Sequence, residues 1–309
     1  MRTHYLKKWL AALLLPLAAV SANAQKTLVD GIYYKLNQDT KQAEVAQGSD
    51  FDYYAGEVTI PSAITYNGVT YEVTSIEKRA FQYCSGLTSV IIPESVTTIE
   101  DETFSGCSGL TSVTIPSSVM RIKSSAFFGC SALTSLTIPS NIKIIEYYAF
   151  ARCSALTSVI IPSNVTSLED GAFAGCSGLT TIVIPSNVTS IGEAAFQRCN
   201  GLTSVTCYAS EPPALEGSAW WTCAEPTPKL YVPASSVEAY KALPEWAEFF
   251  SEILPIGDGA TGIENWTIGQ LNSQTIVESS ECQIYNLSGQ RITKMQKGVN
   301  IINGKKILK

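Results

Sequence analysis

A repeat of 23 residues constrains the fold of this chain more than any other feature of its sequence. Six copies lie between Val73 and Val205, and their leucine, phenylalanine and cysteine return at the same step. A fixed period of this length indicates a solenoid, in which each copy forms one coil and stacks on its neighbours. The three series are Leu87, Leu110, Leu133, Leu156, Leu179 and Leu202; Phe81, Phe104, Phe127, Phe150, Phe173 and Phe196; and Cys84, Cys107, Cys130, Cys153, Cys176 and Cys199.

Each copy contains the pattern of a short β-strand. In one copy Leu136 and Ile138 alternate with Thr137, which predicts a strand with one buried face. Pro139 ends the strand, because proline has no N–H for the sheet. Asn141 follows at a turn position from which its amide can bond the backbone of the adjacent coil. The same position is held by Asn164 and Asn187 in later copies and by Ser95 and Ser118 in earlier ones.

The second half of each copy predicts another buried contact and then a tight bend. Val165 and Leu168 are expected to point inward after the turn. The segment 175–178 has glycine at both ends, which tolerates positive φ, and is predicted to wind as a single turn of 3₁₀-helix. One coil cannot offset the entropy of ordering its own backbone, so stability should arise between coils, and both ends should be capped.

The repeat resembles a known family. The string Leu-Thr-Ser-Val-x-Ile-Pro-Ser-x-Val, followed by Ala-Phe-x-x-Cys-Ser-Gly, is similar to the BspA-type leucine-rich repeat of bacterial surface proteins. The resemblance implies a mainly β leucine-rich repeat solenoid, with a parallel sheet, short second strands and 3₁₀ turns. It also implies a surface protein of the Bacteroidota. Characterised proteins with such repeats include adhesins that bind host extracellular matrix, so the resemblance implies adhesion as well.

The amino-terminal sequence predicts export. Residues 1–24 have a basic start, an apolar core from Trp9 to Val20 and an Ala22-Asn23-Ala24 cleavage site, which together predict a secretory signal peptide. The residue immediately after that site is Gln25 and not cysteine, which disfavours a lipoprotein anchor. No later stretch has the length of a transmembrane segment. Cleavage would change the net charge from −6 to −9 and remove the one histidine, His4. Such an acidic chain argues against nucleic acid as a partner.

Residues 25–67 are predicted to form an amino-terminal β cap. They have strand patterns at Gly31–Leu36 and Gln42–Val45, and the first strand of the repeat type at Glu57–Pro61. The interval from Pro61 to Pro93 exceeds one repeat by nine residues, which predicts an insertion around Asn67. The repeats themselves are predicted to extend over 68–207.

Residues 208–256 are predicted to close the solenoid as a carboxy-terminal cap. They contain a strand pattern at Lys229–Val232 and a capping box at Ser235–Glu238, which predicts a short helix that ends at Pro244. Trp220 and Trp221 are expected to cover the core, and a platform that stacks on carbohydrate is the alternative.

The last part of the chain is predicted to be a linker, 257–275, and a small β tail, 276–309. Alternating residues predict strands at Gln283–Leu287, Gln290–Ile292 and Gly298–Ile302, the last of which turns at Asn303-Gly304. The tail resembles the carboxy-terminal sorting domain of type IX secretion in the Bacteroidota. That resemblance implies a protein on the cell surface, associated with the outer membrane, or a secreted protein.

The cysteines indicate buried thiols. Cysteines stacked in register rarely reach the dihedral angle of a disulfide, and cysteine is among the most buried residue types. Cys207 and Cys223 form the candidate disulfide, which leaves Cys282 unpaired. The sequence has no C-x-x-C spacing, and the mature chain has no histidine, so no metal ligand, cofactor site or catalytic residue is assigned.

Because no catalytic or metal site is assigned, the outward-facing side chains are the candidates for a binding function. The strands present ladders of threonine and serine, which fit an exposed sheet or a docking face. Variation among the copies concentrates elsewhere, at residue types that often dominate binding. We expect a protein partner there, such as host extracellular matrix or another surface protein, with a glycan as the alternative. This candidate partner surface comprises Met120, Arg121, Lys123, Phe128, Lys143, Tyr147, Tyr148, Arg152 and Arg198.

Three functions fit the sequence. The favoured one is an exported, non-enzymatic adhesion or protein-binding protein that uses the solenoid as its scaffold. Paired carboxylates at Glu100–Glu102 and Glu169–Asp170 leave a glycan-active enzyme as an alternative, if two of them converge in a cleft. A structural spacer on the cell surface is the third.

Overall fold

The computed structural model describes residues 26–48, 53–220 and 227–257, together with the backbone of four strands between residues 284 and 308. The predicted signal peptide and most of the predicted linker lie outside the described residues, as do Trp221, Cys223 and Cys282. The chain divides into two compact units, Met1–Gly262 and Ile263–Lys309.

A five-stranded sheet begins the first unit, in the order β1-β2-β3-β6-β5. The strands β5 and β6 form an antiparallel hairpin around Asn67, so the predicted insertion is confirmed as a hairpin. The predicted strands on either side of residues 38–41 are also confirmed, and they pair antiparallel as β2 and β3. The bounds are β1 (Thr27–Val29), β2 (Ile32–Asn37), β3 (Gln42–Val45), β5 (Ala63–Tyr66) and β6 (Val69–Ile76).

Parallel strands at one position of successive coils form the first face of a solenoid. The 23-residue step is kept in the pairing, since Thr181 lies opposite Ser204 and Val183 opposite Thr206. The predicted alternation is confirmed, with Leu136 and Ile138 buried and Thr137 exposed. The strands are β4 (Gly56–Thr59), β7 (Leu87–Ile91), β9 (Ser112–Thr114), β11 (Leu136–Thr137), β13 (Val159–Ile160), β15 (Thr181–Ile184), β17 (Ser204–Cys207), β19 (Lys229–Val232) and β20 (Glu252–Pro255).

Two-residue strands form a second face. Val165 and Leu168 point inward on this side, as predicted, and both are fully buried. The strands are β8 (Thr98–Ile99), β10 (Arg121–Ile122), β12 (Ile144–Ile145), β14 (Ser167–Leu168), β16 (Ser190–Ile191) and β18 (Ala214–Leu215).

The third side of each coil is an arc of overlapping turns. The N–H groups of Ala172, Ala174 and Cys176 donate to carbonyls three residues earlier, which is the 3₁₀ type of hydrogen bond. The intervening N–H groups of Phe173 and Gly175 donate to carbonyls of the next coil instead. Each arc is therefore held partly by itself and partly by its neighbour.

Phenylalanines stack along the core. The rings from Phe81 to Phe196 lie parallel, with centroids 5.1 to 5.7 Å apart in successive coils. The column meets Tyr54 at 4.6 Å on one side and Trp220 at 4.5 Å on the other. Trp220 is 2% exposed, so its predicted place over the core is confirmed.

Side chains at the first turn join neighbouring coils. Asn141 Nδ2 donates to the Ser117 carbonyl at 2.7 Å, and Asn164 and Asn187 repeat this bond one and two coils later. In the earlier coils, hydroxyls replace the amide: Ser118 Oγ donates to the carbonyl of Val96 at 2.7 Å. The predicted ladder between coils is thus confirmed.

Both sheets are interrupted at one junction between coils. The first sheet has no pairing between β9 and β11, and the second has none between β10 and β12. The arc remains joined there, since the N–H groups of Ser125 and Phe127 donate to the carbonyls of Tyr147 and Ala149, each at 2.8 Å. These two coils are therefore joined through the arc and through the Asn141–Ser117 bond at the turn, but not through either sheet.

The helical segment near the end of the first unit differs from the prediction. A 3₁₀ turn (Ala234–Ser236) is followed by α1 (Val237–Lys241) and α2 (Pro244–Ala247). The predicted capping box at Ser235–Glu238 is wrong, because the residue before α1 is Ser236 and not Ser235, and Ser236 makes no side-chain capping bond; its hydroxyl donates to the Ser210 carbonyl at 2.7 Å. Pro244 occupies the first turn of α2, where its missing N–H costs nothing.

The second unit contains an antiparallel sheet in the order β22-β21-β23-β24. Three of its strands fall within the segments that the alternation predicts, and the fourth begins at Lys305, which pairs with Ile302 across the predicted turn. The bounds are β21 (Ile284–Asn286), β22 (Arg291–Ile292), β23 (Val299–Ile302) and β24 (Lys305–Leu308).

Candidate functional site

The candidate partner surface lies on the second face and on the arc of the middle coils. Met120 and Lys143 precede β10 and β12, and Tyr147 and Tyr148 follow β12 at the start of the arc. Phe128, Arg152 and Arg198 lie further along the arcs of three different coils.

Its centre is an exposed group of apolar side chains. Met120 is 62% exposed, Ile144 45%, Tyr147 48% and Tyr148 44%. We call these four residues the apolar strip. The strip spans the junction at which both sheets are interrupted, because Met120 belongs to one coil and the other three to the next. Ile144 was not predicted as part of this surface. Its signal in the sequence is that it is apolar where the equivalent residues Thr98, Ser167 and Ser190 are polar.

The arc holds several of these side chains on left-handed backbone. Tyr148 has φ 53°, Arg152 φ 60° and Arg198 φ 57°. In the next coil, glycine stands at both equivalent positions: Gly171 corresponds to Tyr148, and Gly175 corresponds to Arg152. This conformation costs an L-residue about 1–2 kcal/mol. Other coils also have left-handed non-glycine residues at the Tyr148 position, namely Arg79, Glu102, Ser125 and Ala194, so the conformation belongs to the repeat and the candidate surface differs in its side chains.

Neighbouring coils fix the direction of Arg152. A Cβ on Gly175 would lie 3.3 Å from Arg152 Cγ, so the arginine stem passes over that glycine. Its guanidinium lies over the ring of Phe128, 5.2 Å from the centroid. The structure therefore brings together Phe128 and Arg152, which the sequence placed 24 residues apart.

Two cations of the candidate surface are already paired within the chain. Arg121 Nη2 lies 2.9 Å from Glu146 Oε1, and Lys123 Nζ lies 2.5 Å from Glu100 Oε2. The 23-residue spacing of Lys123 and Glu100 was a signal for this pair, since the repeat places such residues side by side. These two side chains are less available to a partner than the sequence suggested.

Carboxylates without cationic partners lie beside the strip. Glu169, Asp170, Glu193 and Glu216 make no ion pair among the described residues, and we call them the acidic edge. The Asp170 carboxylate accepts a bond from the Glu193 N–H at 2.8 Å. The negative charge and hydrogen bonding of Glu169, with smaller effects of Asp170 and Glu216, raise the pKa of Tyr147. The acidic edge therefore adjoins the apolar strip at Tyr147.

The first pair of carboxylates does not fit glycosidase chemistry. Arg79 binds the Glu102 carboxylate through two nitrogens at 2.7 and 2.9 Å, and this pairing lowers the Glu102 pKa. A glycosidase acid requires a raised pKa. Glu100 is held by Lys123. Within the described residues, no cluster of three or more His, Cys, Asp or Glu could hold a metal ion.

The hydroxyl ladders of the first face are partly engaged in the fold. Thr111 Oγ1 donates to the Thr88 carbonyl at 3.0 Å, and Thr203 Oγ1 donates to the Thr180 carbonyl at 3.1 Å. These donors bond the preceding coil, so the ladder offers a ligand fewer free hydroxyl protons than its composition suggests.

The repeat cysteines are buried and hydrogen-bonded. Each Sγ from Cys107 to Cys199 contacts the carbonyl of the phenylalanine 26 residues earlier, at 3.0 to 3.3 Å. Burial raises the pKa of Cys84 to about 11 and that of Cys130 to about 12. Thiols that stay protonated are poor nucleophiles.

Cys207 is a buried free thiol in this structure, and Tyr240 Oη lies 3.2 Å from its Sγ. Its predicted partner Cys223 lies outside the described residues, so the disulfide between them stays a prediction.

The profile of the BspA type Leucine rich repeat region matches residues 74–203 in six copies. These residues are therefore similar to a BspA-type leucine-rich repeat region. Its boundaries agree with the coils described above, from the end of β6 to the start of β17. The chain matches no curated protein sequence. Among the described residues, none of the helices is long and apolar enough to cross a membrane.

Several solved structures resemble the BspA-type region and its flanks. A leucine rich cell surface protein from Faecalibacterium prausnitzii is 24% identical, with a TM-score of 0.47; the match covers 76% of this chain and 73% of that chain. A leucine-rich repeat protein from Bacteroides ovatus is 22% identical over 74% and 76% of the two chains, with a TM-score of 0.35. The Leucine Rich Repeat protein of T. pallidum is 24% identical over 59% and 71%, with a TM-score of 0.38.

Proposed function

We propose that this chain is an exported, non-enzymatic binding protein of the bacterial surface, whose solenoid presents the candidate partner surface to a protein. A protein of the host extracellular matrix and another surface protein are the two partners that the resemblance suggests. The signal peptide predicted at 1–24 and the sorting-domain-like tail predicted at 276–309 would carry the protein to the surface or beyond.

One observation supports this proposal most strongly. Tyr148 and Arg152 keep left-handed backbone at arc positions where the next coil has glycine. Each of the two residues carries about 1–2 kcal/mol of backbone strain that glycine would not have. Tyrosine and arginine are also residue types that dominate binding energy at interfaces.

The test is a binding assay of the purified chain against an array of matrix proteins and glycans. The variant Tyr147→Ala/Tyr148→Ala/Arg152→Ala is expected to lose at least about tenfold in affinity for a protein on the array. The matched control Thr134→Ala/Ser135→Ala/Thr157→Ala changes three exposed residues of the first face and should bind as the parent does. Full affinity in the arc variant, or exclusive binding to glycans, would overturn the proposal.

A further inference from the structure

We propose that the partner bound at the apolar strip is a cationic polypeptide segment that carries apolar side chains between its positive charges. This inference rests on the proposed function and names the chemistry of the partner for the same surface. It joins the exposed strip with the electrostatics of the coils on either side.

The apolar strip offers a partner four exposed apolar side chains. Met120, Ile144, Tyr147 and Tyr148 are each between 44% and 62% exposed, and they belong to two adjacent coils. The two coils are in contact beside the strip, because Arg121, next to Met120, pairs with Glu146, next to Tyr147, at 2.9 Å. Contiguous apolar groups rimmed by polar residues mark interaction sites.

The charges around the strip are not balanced. Towards the amino terminus, the chain neutralises its own charges: Lys123 pairs with Glu100, Arg121 with Glu146, and Arg79 with Glu102. Towards the carboxy terminus, the acidic edge has no such pairs among the described residues. Lys143, Arg152 and Arg198 are the cations of the candidate partner surface that make no described ion pair. The four carboxylates of the acidic edge outnumber these three cations; Glu193 and Glu216 are exposed, and Glu169 and Asp170 are half-buried.

The acidic edge is continuous with the strip. Tyr147 senses the charges of Glu169, Asp170 and Glu216. Glu193 stands one coil beyond Asp170, and its side chain lies over Gly217, where a Cβ would approach Glu193 Cγ to 3.0 Å. A partner that covers the tyrosines must also meet these carboxylates. Unpaired like charges in an interface are costly, so the partner must supply positive charge.

Two synthetic peptides test the inference directly. One alternates lysine and leucine, and the other alternates lysine and serine; both are titrated into the labelled full chain, and binding is followed by fluorescence anisotropy. The lysine–leucine peptide is expected to bind about tenfold or more tightly than the lysine–serine peptide. Its affinity should fall with added salt, because the charge contacts are exposed. Equal binding of the two peptides would overturn the inference, since the strip would then contribute nothing.

A pair of charge variants supplies the matched control. Glu169→Gln/Asp170→Asn/Glu193→Gln/Glu216→Gln removes the acidic edge and keeps its hydrogen-bond acceptors. Glu211→Gln/Glu238→Gln/Glu245→Gln/Glu248→Gln removes the same charge from exposed sites near α1 and α2. The first variant is expected to bind the lysine–leucine peptide about tenfold or more weakly, and the second to bind it as the parent does. Equal affinities of the two variants would overturn the inference.

These results separate the inference from the proposed function. If the acidic-edge variant keeps its affinity for a matrix protein while the arc variant loses it, the inference fails and the proposed function stands. If the arc variant keeps full affinity for every protein on the array, the proposed function fails.

Discussion

The ring of Tyr148 lies directly on the backbone of Gly171 in the next coil, where an added Cβ would come within 2.2 Å of Tyr148 Cε1. Gly171 has φ 62°, so the same residue provides both the space and the left-handed turn. The tyrosine of the candidate surface therefore depends on a glycine 23 residues later.

Substitution of that glycine measures the contact. Gly171→Ala should lower the free energy of unfolding by more than the backbone cost of about 1–2 kcal/mol, because the ring must also move. Gly68→Ala provides the control, since Gly68 has φ 76° and nothing within 4 Å of its Cβ position. In thermal unfolding followed by circular dichroism, the double variant Tyr148→Ala/Gly171→Ala should lose only as much free energy of unfolding as Gly68→Ala does, because the ring is then absent. Equal losses for Gly171→Ala and Gly68→Ala would show that the ring exerts no constraint.

Phe127 and Phe128 are adjacent in sequence but differ in role. Phe127 is fully buried between Phe104 and Phe150, with ring centroids at 5.2 and 5.6 Å. Phe127→Ala should therefore cost about 3–5 kcal/mol in urea unfolding. Phe128→Ala removes a half-buried ring and its contact with Arg152, and should cost about 1 kcal/mol. If Phe128→Ala lowered the free energy of unfolding as much as Phe127→Ala does, the assignment of Phe128 to the surface would be contradicted.

The buried thiols predict a fall of stability in alkali. Burial raises the pKa of Cys130 and of Cys176 to about 12, whereas an unfolded thiol has a pKa of about 8.5. Between these values, the folded chain binds more protons than the unfolded chain, so the free energy of unfolding falls as pH rises. Cys130→Ala should show a shallower fall between about pH 8.5 and 12 in denaturant titrations. A slope unchanged by this substitution would mean that Cys130 ionises alike in both states.

The interrupted junction predicts local exchange. The strand β11 pairs only with β13, whereas β15 pairs with strands on both sides. In hydrogen–deuterium exchange, the amides of Leu136 and Thr137 should therefore exchange faster than those of Thr181–Ile184, because fewer backbone bonds hold their coil. Equal protection of the two segments would show that the sheet is continuous in solution.

The features that repeat were predictable from the sequence. The buried rows of leucine and phenylalanine, the bonds of Asn141 and the hairpin at Asn67 follow from the 23-residue period and its one insertion. The place of Trp220 over the core also follows, because an apolar end of a stack must be covered.

The features that differ between coils were less predictable. The start of α1 at Ser236 and the bond of Ser236 to the Ser210 carbonyl, 26 residues earlier, are not visible in the local pattern at Ser235–Glu238. The pairing of Lys123 with Glu100 was readable from the period but changes how the surface is interpreted. The interruption beside β11 has no signal that we find in the sequence.

A photo-cross-linking experiment tests the central claim most directly. Two variants are made, one with a benzophenone side chain in place of Ile144 on the apolar strip and one with it in place of Thr137, which is exposed on the first face. Each variant is irradiated together with the protein recovered from the matrix array. Our account predicts an adduct from position 144 and none from position 137. An adduct from position 137 alone would contradict it.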